Sequence, residues 1–437
     1  MKNMKIGKFT IHSPGKFFGA VAAMLIVLIL LITCLSNCSG GSDPQQTEQS
    51  PTDSPEQSVI NTISFLSAGD NLIHFPIYDQ AQRVAGEEGG YDFSPMYENI
   101  AKYAEGADMA FINQETALAG EEFGISSYPL FNSPQELGDH MVKIGFDIVN
   151  HANNHIMDKG EEGLAETLAF WKNKHPEIKV VGVYENQADR KNIRVIERKG
   201  VKFALLSYTY GTNGIDLPEG SPYVIADLDK EAMLADIERA KGMSDALIVF
   251  MHWGDENTTT PSALQLDYAQ FLADNGVTIV IGAHPHVIQP VDYITAQNGY
   301  HMPVVYSLGN FISSQIEAFN MLGGMADVEF THNAQTGEVT VSNVRFIPTL
   351  TFYDDGIKNT KIYLLSEMTD RLWESHGITT FDPSFSKQYV LDMLKSTIDP
   401  QFLQGDDAAL IASQNADAQT PPTEEQLPQE DGETDEE

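Results

Sequence analysis

Two histidines stand two residues apart in Gly282-Ala-His-Pro-His-Val-Ile-Gln289, with a proline fixing the backbone between them, so both rings can turn toward one point. Imidazole and carboxylate donors suit Mn, Zn and Fe ions. Other candidate donors follow other apolar runs. Asp70 follows Ile63-Ser-Phe-Leu-Ser-Ala68, and Glu115 follows Met109-Ala-Phe-Ile112 and the pair Asn113-Gln114. Asn150-His-Ala-Asn-Asn-His155 follows Asp147-Ile-Val149, and His252-Trp-Gly-Asp-Glu256 follows Ala246-Leu-Ile-Val-Phe-Met251. Such a set has the makings of a metal-dependent phosphoesterase site. That chemistry needs a bridging carboxylate, neutral imidazoles, an Asn oxygen and an acid for the leaving group. Asp70, Glu115, Asn154, His252, His284 and His286 supply the ligands in type and number. His155 is the candidate proton donor, and Asp158, three residues on, the group that orients it.

The elements that must position these residues are legible from the same runs. In α/β sheets, ligands bind just beyond the carboxyl ends of parallel strands, which is where each of these clusters falls. Val277–Ile281 reads as a buried strand before the paired histidines. Further strands are expected at Lys179–Val183, Ile193–Ile196, Val201–Ser207 and Val304–Leu308. Helices are expected from Ser133-Pro134 to Ile144, from Glu161 to Asn173, Lys230 to Lys241 and Ser262 to Asn275. This alternation implies a layered α/β fold with much parallel pairing. Val328–Thr331 and Val339–Ser342, joined by His332-Asn-Ala-Gln-Thr-Gly337, read as a hairpin. A helix from Phe385 to Thr397 closes the domain.

The ends of the 437-residue chain read differently. Four lysines at 2, 5, 8 and 16 precede an almost wholly apolar stretch, Phe17–Leu35, long enough to cross a bilayer. The basic flank places the amino end inside and the rest outside the cell membrane. Two versions stand: an uncleaved anchor, or a lipoprotein signal with Cys38 as the lipidated residue, where Asn37 departs from the usual small residue. Residues 39–58 are polar and rich in Ser, Pro and Gln, a linker. Residues 404–437 read as a solvated acidic tail, which leaves 59–403 as the folded domain. The net charge of −36 excludes a nucleic-acid partner. Both cysteines, Cys34 and Cys38, precede the domain, so any metal there is held without sulfur.

Taken together, Gly69-Asp70, Asn113-Gln-Glu115, Ala152-Asn-Asn-His155 through Asp158-Lys-Gly160, His252-Trp-Gly-Asp-Glu256, Gly282–Gln289 and Ser307-Leu-Gly-Asn-Phe311 resemble the motif series of the CapA (PgsA) family. That family is associated with poly-γ-glutamate capsule synthesis and belongs to the calcineurin-like metallophosphatase superfamily. The resemblance spans roughly Ile63 to Ser313 and implies a four-layer α-β-β-α sandwich with two mixed sheets. It implies that Asp70, Asn154, His252, His284 and His286 are ligands and His155 the catalytic histidine. Two departures bear on the metal count. The nearest histidine to Asp70 is His74, four residues on instead of two, and Asn113-Gln-Glu115 replaces a Gly-Asp pair. One or two divalent ions therefore remain open. Tyr208-Thr-Tyr-Gly-Thr-Asn213 also resembles a family segment, which makes Tyr208, Tyr210 and Asn213 candidate substrate contacts. Asn310 is a further candidate for substrate or for holding its loop. His74, Asn113 and Glu256 are candidates to surround and orient the ligands, with a packed loop histidine the alternative for His74 and a surface acid the alternative for Glu256, and Trp253 is a candidate to pack as core or pocket wall. Polyglutamate and membrane components of a capsule synthase are the implied partners. A general surface phosphoesterase and a non-catalytic binding protein are the alternatives.

Overall fold

Every apolar run that precedes a candidate ligand is a strand, and the strands belong to two sheets. The computed structural model describes residues 4–6, 9–11 and 60–417. The apolar stretch Phe17–Leu35, Cys38, the linker up to residue 58 and residues 418–437 lie outside the described residues. The chain divides into Met1–Gln57 and Ser58–Glu437. In the first unit, Met4–Ile6 pairs antiparallel with Phe9–Ile11.

In the second unit, one sheet has eight strands. From edge to edge it runs Lys358–Leu364, Glu338–Asp354, Leu322–Asn333, Ile60–Asn71, Met109–Gln114, Ile148–Asn150 and Lys179–Val181, with Asn310–Ile312 beside the end of Ile60–Asn71. Ile60–Asn71 and the strands after it in that order are parallel, and the first three are joined antiparallel. The other sheet runs Val291–Thr295, His301–Val305, Ile279–Ala283, Ala246–His252, Val201–Thr209 and Arg194–Arg198. Its four central strands are parallel and its two edges antiparallel. Both sheets are mixed.

Side-chain alternation explains why these runs are apolar throughout. Successive residues point to opposite faces, and both faces are covered. Phe65, Phe111, Phe203, Phe250 and Ile281 fill one apolar layer between the two sheets, with Phe111 stacked on Phe250 at 3.7 Å. Their neighbours Leu66, Ala110 and Ile112 face the opposite way, under helices Phe75–Ala85, Glu136–Lys143 and Gly160–Lys174. Ala204, Leu206, Val249 and Val280 face helices Lys230–Lys241 and Ala263–Asp274. The order is helix, sheet, sheet, helix. Among the described residues, all three apolar layers lie within Ser58–Glu437.

The expected boundaries hold where local signals act. Asp229 caps Lys230–Lys241, and Ser262 with Gln265 forms a capping box on Ala263–Asp274. They shift where tertiary contacts intervene. The helix expected from Ser133 starts at Glu136, because the Ser133 hydroxyl is engaged with Thr116 at 2.6 Å instead of capping. The strand expected over Lys179–Val183 breaks at Gly182, whose φ of 84° leaves the ladder. Val304–Leu308 is strand only to Val305; Tyr306–Leu308 leave the ladder. The hairpin is longer than expected, Leu322–Asn333 paired with Glu338–Asp354. Beyond residue 403 a helix, Gly405–Asp417, occupies the start of the stretch read as tail. Ile411 joins the inter-sheet core there, so the folded body does not end at 403.

Candidate metal centre

At the carboxyl ends of the parallel strands, the layer between the sheets turns from apolar to polar. A bulge brings Asp70 into it. Ala68 pairs with Ile112, but Asp70 pairs with Asn113, so Gly69 is an extra residue and the side-chain direction flips after it. Only glycine fits at 69, since a Cβ there would lie 2.1 Å from the Gly309 carbonyl oxygen. Asp70, Asn113, Asn150 and His252 then share the inter-sheet face with Ser207. The Asn113 amide donates to Asp70 at 2.7 Å, Asn150 donates to Asn113 at 2.8 Å, and the Ser207 hydroxyl donates to Asn150 at 2.6 Å.

Glu115, in the loop after its strand, has no exposed surface, and neither carboxylate oxygen has a hydrogen-bond partner. The His286 Nε2 lies 3.5 Å away and the His252 Nε2 3.7 Å. Ligand atoms of Glu115, His284 and His286 all fall within 4.8 Å of one another, and Nδ1 of His284 is likewise buried and unpartnered. An uncompensated buried carboxylate is costly, and here burial pushes the Glu115 carboxyl well above its usual range, with Asp70 adding to the push and His286 opposing it. Burial and the neighbouring imidazoles hold His252 and His284 well below the usual histidine value, so both are neutral donors. His286 differs. Burial lowers it, but Glu115 and Asp70 outweigh burial and raise it to about 10. The unpartnered Glu115 carboxylate and His284 Nδ1, with His286 beside them, are the donor set a divalent cation satisfies. His284 and His286 also have φ of 99° and 58°, a left-handed backbone that costs about 1–3 kcal/mol each for a non-glycine residue.

The surrounding groups aim this set. Asp70 Oδ2 and Asn310 Oδ1 both contact Nδ1 of His286, at 3.0 and 3.1 Å, which turns its Nε2 toward Glu115. Asp70 also accepts from the His284 N–H. With both oxygens engaged, Asp70 serves as an orienting carboxylate in this arrangement. His252 Nε2 contacts Asn154 Oδ1 at 2.8 Å, and Asn154 in turn donates to Asn213. Nδ1 of His155 contacts Asp158 Oδ2 at 2.7 Å, and Asp158 also accepts from the Phe131 N–H at 2.7 Å. The Phe131 ring meets His155 edge-on at 4.8 Å.

The remaining expected residues divide. Tyr210 stands at the rim, 40% exposed, with its ring 4.4 Å from His284 and its hydroxyl on Asn213. Tyr208 does not reach the site. It lies on the other face of its strand, buried under Lys230–Lys241 with its hydroxyl on Asp236, because alternation sends Ser207 to the site and Tyr208 away. Asn310 is buried and holds His286 and its own loop, which removes it as a substrate contact. Asn113 donates its amide to Asp70. Nδ1 of His74 lies 3.2 Å from the Leu72 carbonyl and 3.4 Å from the Ser314 N–H and serves one or the other according to tautomer, with Phe131 against its ring; these contacts are those of a packed loop histidine. Glu256 is exposed and acts on the pocket only through its charge, which adds to the upward push on Glu115 and Tyr210. Trp253 is core, its indole N–H on the Tyr306 carbonyl. Asn150, Ser207 and Phe131 were not singled out from the sequence as site residues. Asn150 shares a run with Asn154 and gave a signal; Ser207 and Phe131 arrive only through folding.

Sheets, helices and a carboxylate-imidazole cluster at the strand ends define a candidate metalloprotein of the α/β sandwich class. The family model for the bacterial capsule synthesis protein PGA_cap matches residues 64–315, and the chain belongs to that family. The matched segment contains every residue of the cluster. Over 173 residues the chain is 33% identical to the PGA biosynthesis protein CapA of Bacillus subtilis, covering 39% of this chain and 44% of that protein. Over 177 residues it is 34% identical to the capsule biosynthesis protein CapA of Bacillus anthracis, covering 39% and 41%. The chain thus matches less than half the length of these relatives. Among solved structures, the 5′-nucleotidase precursor of Thermus thermophilus shows 14% identity and a TM-score of 0.40, over 77% of this chain and 58% of that one. The calcineurin-like phosphoesterase YfkN of Bacillus subtilis shows 14% and 0.38, over 77% and 100%.

Proposed function

We propose that this chain is a membrane-anchored, extracytoplasmic component of poly-γ-glutamate capsule synthesis whose metal centre hydrolyses a phosphoester. The observation that carries the catalytic part is the Glu115 carboxylate, buried without a hydrogen bond among three imidazoles. Glu115, His284 and His286 would hold the ion, with His252 and Asn154 on its flank and Asp70 orienting His286. Mn, Zn and Fe are the ions these donors suit. When bound, such an ion lowers the pKa of water and offsets phosphoryl charge.

The chain's own residues supply the rest. Asp158 holds Nδ1 of His155, which leaves Nε2 to carry a proton to the leaving oxygen. Tyr210 and Asn213 form the outer wall, their hydroxyl and amide 3.3 Å apart. Both are placed to contact the non-reacting part of a substrate. The family membership and the CapA relatives support the capsule role; Phe17–Leu35 and Cys38 support the anchor, as a transmembrane segment or a lipidated residue.

Elemental analysis of purified Ser58–Glu437 beside Glu115→Gln and His284→Ala tests the centre. Wild type is expected to carry about one or two divalent ions per chain and both variants fewer; equal content in all three rejects it. Reloaded wild type is then assayed on a nitrophenyl phosphodiester and on a γ-glutamyl amide. Cleavage of the amide alone would replace the phosphoester reading. For anchoring, loss of fatty-acid label in Cys38→Ser selects the lipoprotein version, and protection of the domain from protease on intact cells overturns the orientation.

A further inference from the structure

The segments that build the metal centre and its rim contain no lysine and no arginine. Residues 70–75, 113–120, 150–158, 208–219, 252–262, 282–290 and 307–320 carry eight carboxylates instead, so whatever a bound phosphoester presents to these loops beyond its phosphoryl group is favoured when neutral or cationic. Two residues concentrate that demand. Tyr210 follows the strand Val201–Thr209, and its N–H donates to the His252 carbonyl at 3.0 Å. Its ring lies nearly parallel to that of His252 at 6.3 Å and 4.4 Å from that of His284, and the residue stays 40% exposed. Glu256 lies in the loop after the neighbouring strand, Ala246–His252. The N–H of Asn257, the next residue, donates to the Pro285 carbonyl at 2.8 Å, which sets this loop against the turn between His284 and His286. The Gln289 amide holds the same loop through the Thr258 carbonyl at 2.7 Å. Glu256 itself is exposed, and among the described residues its carboxylate has no hydrogen bond or ion pair. Burial pushes the Tyr210 hydroxyl up to about 12, and the charge of Glu256 adds to the push. An aromatic ring beside an unpaired carboxylate is a pair of groups that recognises an ammonium.

We infer that Tyr210 and Glu256 hold an ammonium group carried on an ester arm of the substrate. The substrate is then a phosphoester of an amino alcohol, and a chain of carboxylates is disfavoured in its place. This rests on the phosphoester reading above and names a substrate class within it. His252 pairs with Thr209 on one side and with Ala283 on the other, so Tyr210, His252 and His284 stand at the ends of three adjacent strands. Neighbouring strands lie about 4.8 Å apart, a separation that a two-carbon spacer between phosphate and ammonium covers. A further divalent ion on Glu256 is the competing occupant, and the experiment separates the two.

Binding of aminoethyl phosphate and propyl phosphate is measured by calorimetry on the metal-loaded full-length chain in non-ionic detergent. The two ligands have the same shape, so the ratio of their affinities reads the ammonium charge. Contact with an aromatic face and a carboxylate should make aminoethyl phosphate about fivefold to tenfold tighter. Tyr210→Leu and Glu256→Gln should each reduce that ratio to about two, and Glu256→Gln should keep the wild-type metal content. Glu338→Gln, which removes an exposed acid at the start of the strand Glu338–Asp354, should keep the wild-type ratio. Equal affinity for both ligands in wild type overturns the inference while leaving the metal centre intact. So does a ratio that survives both substitutions, or a loss of metal from Glu256→Gln, which would make Glu256 a ligand. If neither phosphate binds the metal-loaded chain, the phosphoester reading itself fails, and the inference with it.

Discussion

The layer between the two sheets has two ends, and they answer opposite demands. Toward the amino ends of the parallel strands, Phe65, Phe111, Phe203 and Phe250 interlock, buried and free of polar atoms. Toward the carboxyl ends the same faces carry Asp70, Asn113, Asn150 and His252, followed by Glu115 and His284 with buried atoms that have no partner. Dispersion and burial stabilise the first end. The second carries unsatisfied charge and two left-handed histidines, a cost that persists only because the strands on either side hold the loops in place. Stability and chemistry are thus separated along each strand by a few residues.

The largest expected effect tests that separation on the chemical side. His155→Ala should lower turnover of a nitrophenyl phosphodiester about a hundred-fold to ten-thousand-fold with metal content and urea midpoint unchanged. A variant that lost metal as well would place His155 among the ligands. On the stability side, Phe250→Ala removes the ring stacked on Phe111 and should cost about 3–5 kcal/mol in urea unfolding. Its turnover per folded molecule should stay near wild type; a large loss would show that the two ends are coupled.

Glu115→Gln should lose metal with a smaller effect on the fold. In metal-free protein it relieves a buried carboxyl but removes the partner that raises His286, so the two effects oppose and the unfolding free energy should shift by less than about 1 kcal/mol. A shift as large as that of Phe250→Ala would mean that Glu115 is a structural residue.

A histidine outside the site offers the next contrast. His376 is buried with both ring nitrogens engaged, Nε2 on the Thr351 carbonyl and Nδ1 accepting the Ile378 N–H. Burial holds it down at about 4, against 6.5 in its ordinary state. The unfolded chain takes up a proton that the folded chain refuses. The stability this gives is present above pH 6.5 and is lost as the pH falls toward 4, by up to about 1.4 kcal/mol per unit. Urea midpoints at pH 7 and pH 5 should therefore fall more in wild type than in His376→Gln. The smallest effect is far from either end: Asp229→Ala removes the cap of Lys230–Lys241 and should cost about 1 kcal/mol with metal and turnover unaffected.

Much of this was legible in the linear chain. Continuous apolar runs identify strands buried on both faces, the spans Lys230–Lys241 and Ser262–Asn275 locate two helices to within a residue, and donor residues after each run identify the site-bearing edge. These signals are local, a matter of periodicity and of side chains that reach their own backbone. Which donors meet was decided by the tertiary structure. The bulge at Gly69 turned Asp70 inward, and strand parity sent Ser207 to the site while burying Tyr208 under a helix. Asn310 became the support of His286, and Phe131 was carried from a distant loop onto His155. Each of these depends on register between strands or on contact between segments far apart in the chain, and one residue of register reverses the face a side chain occupies.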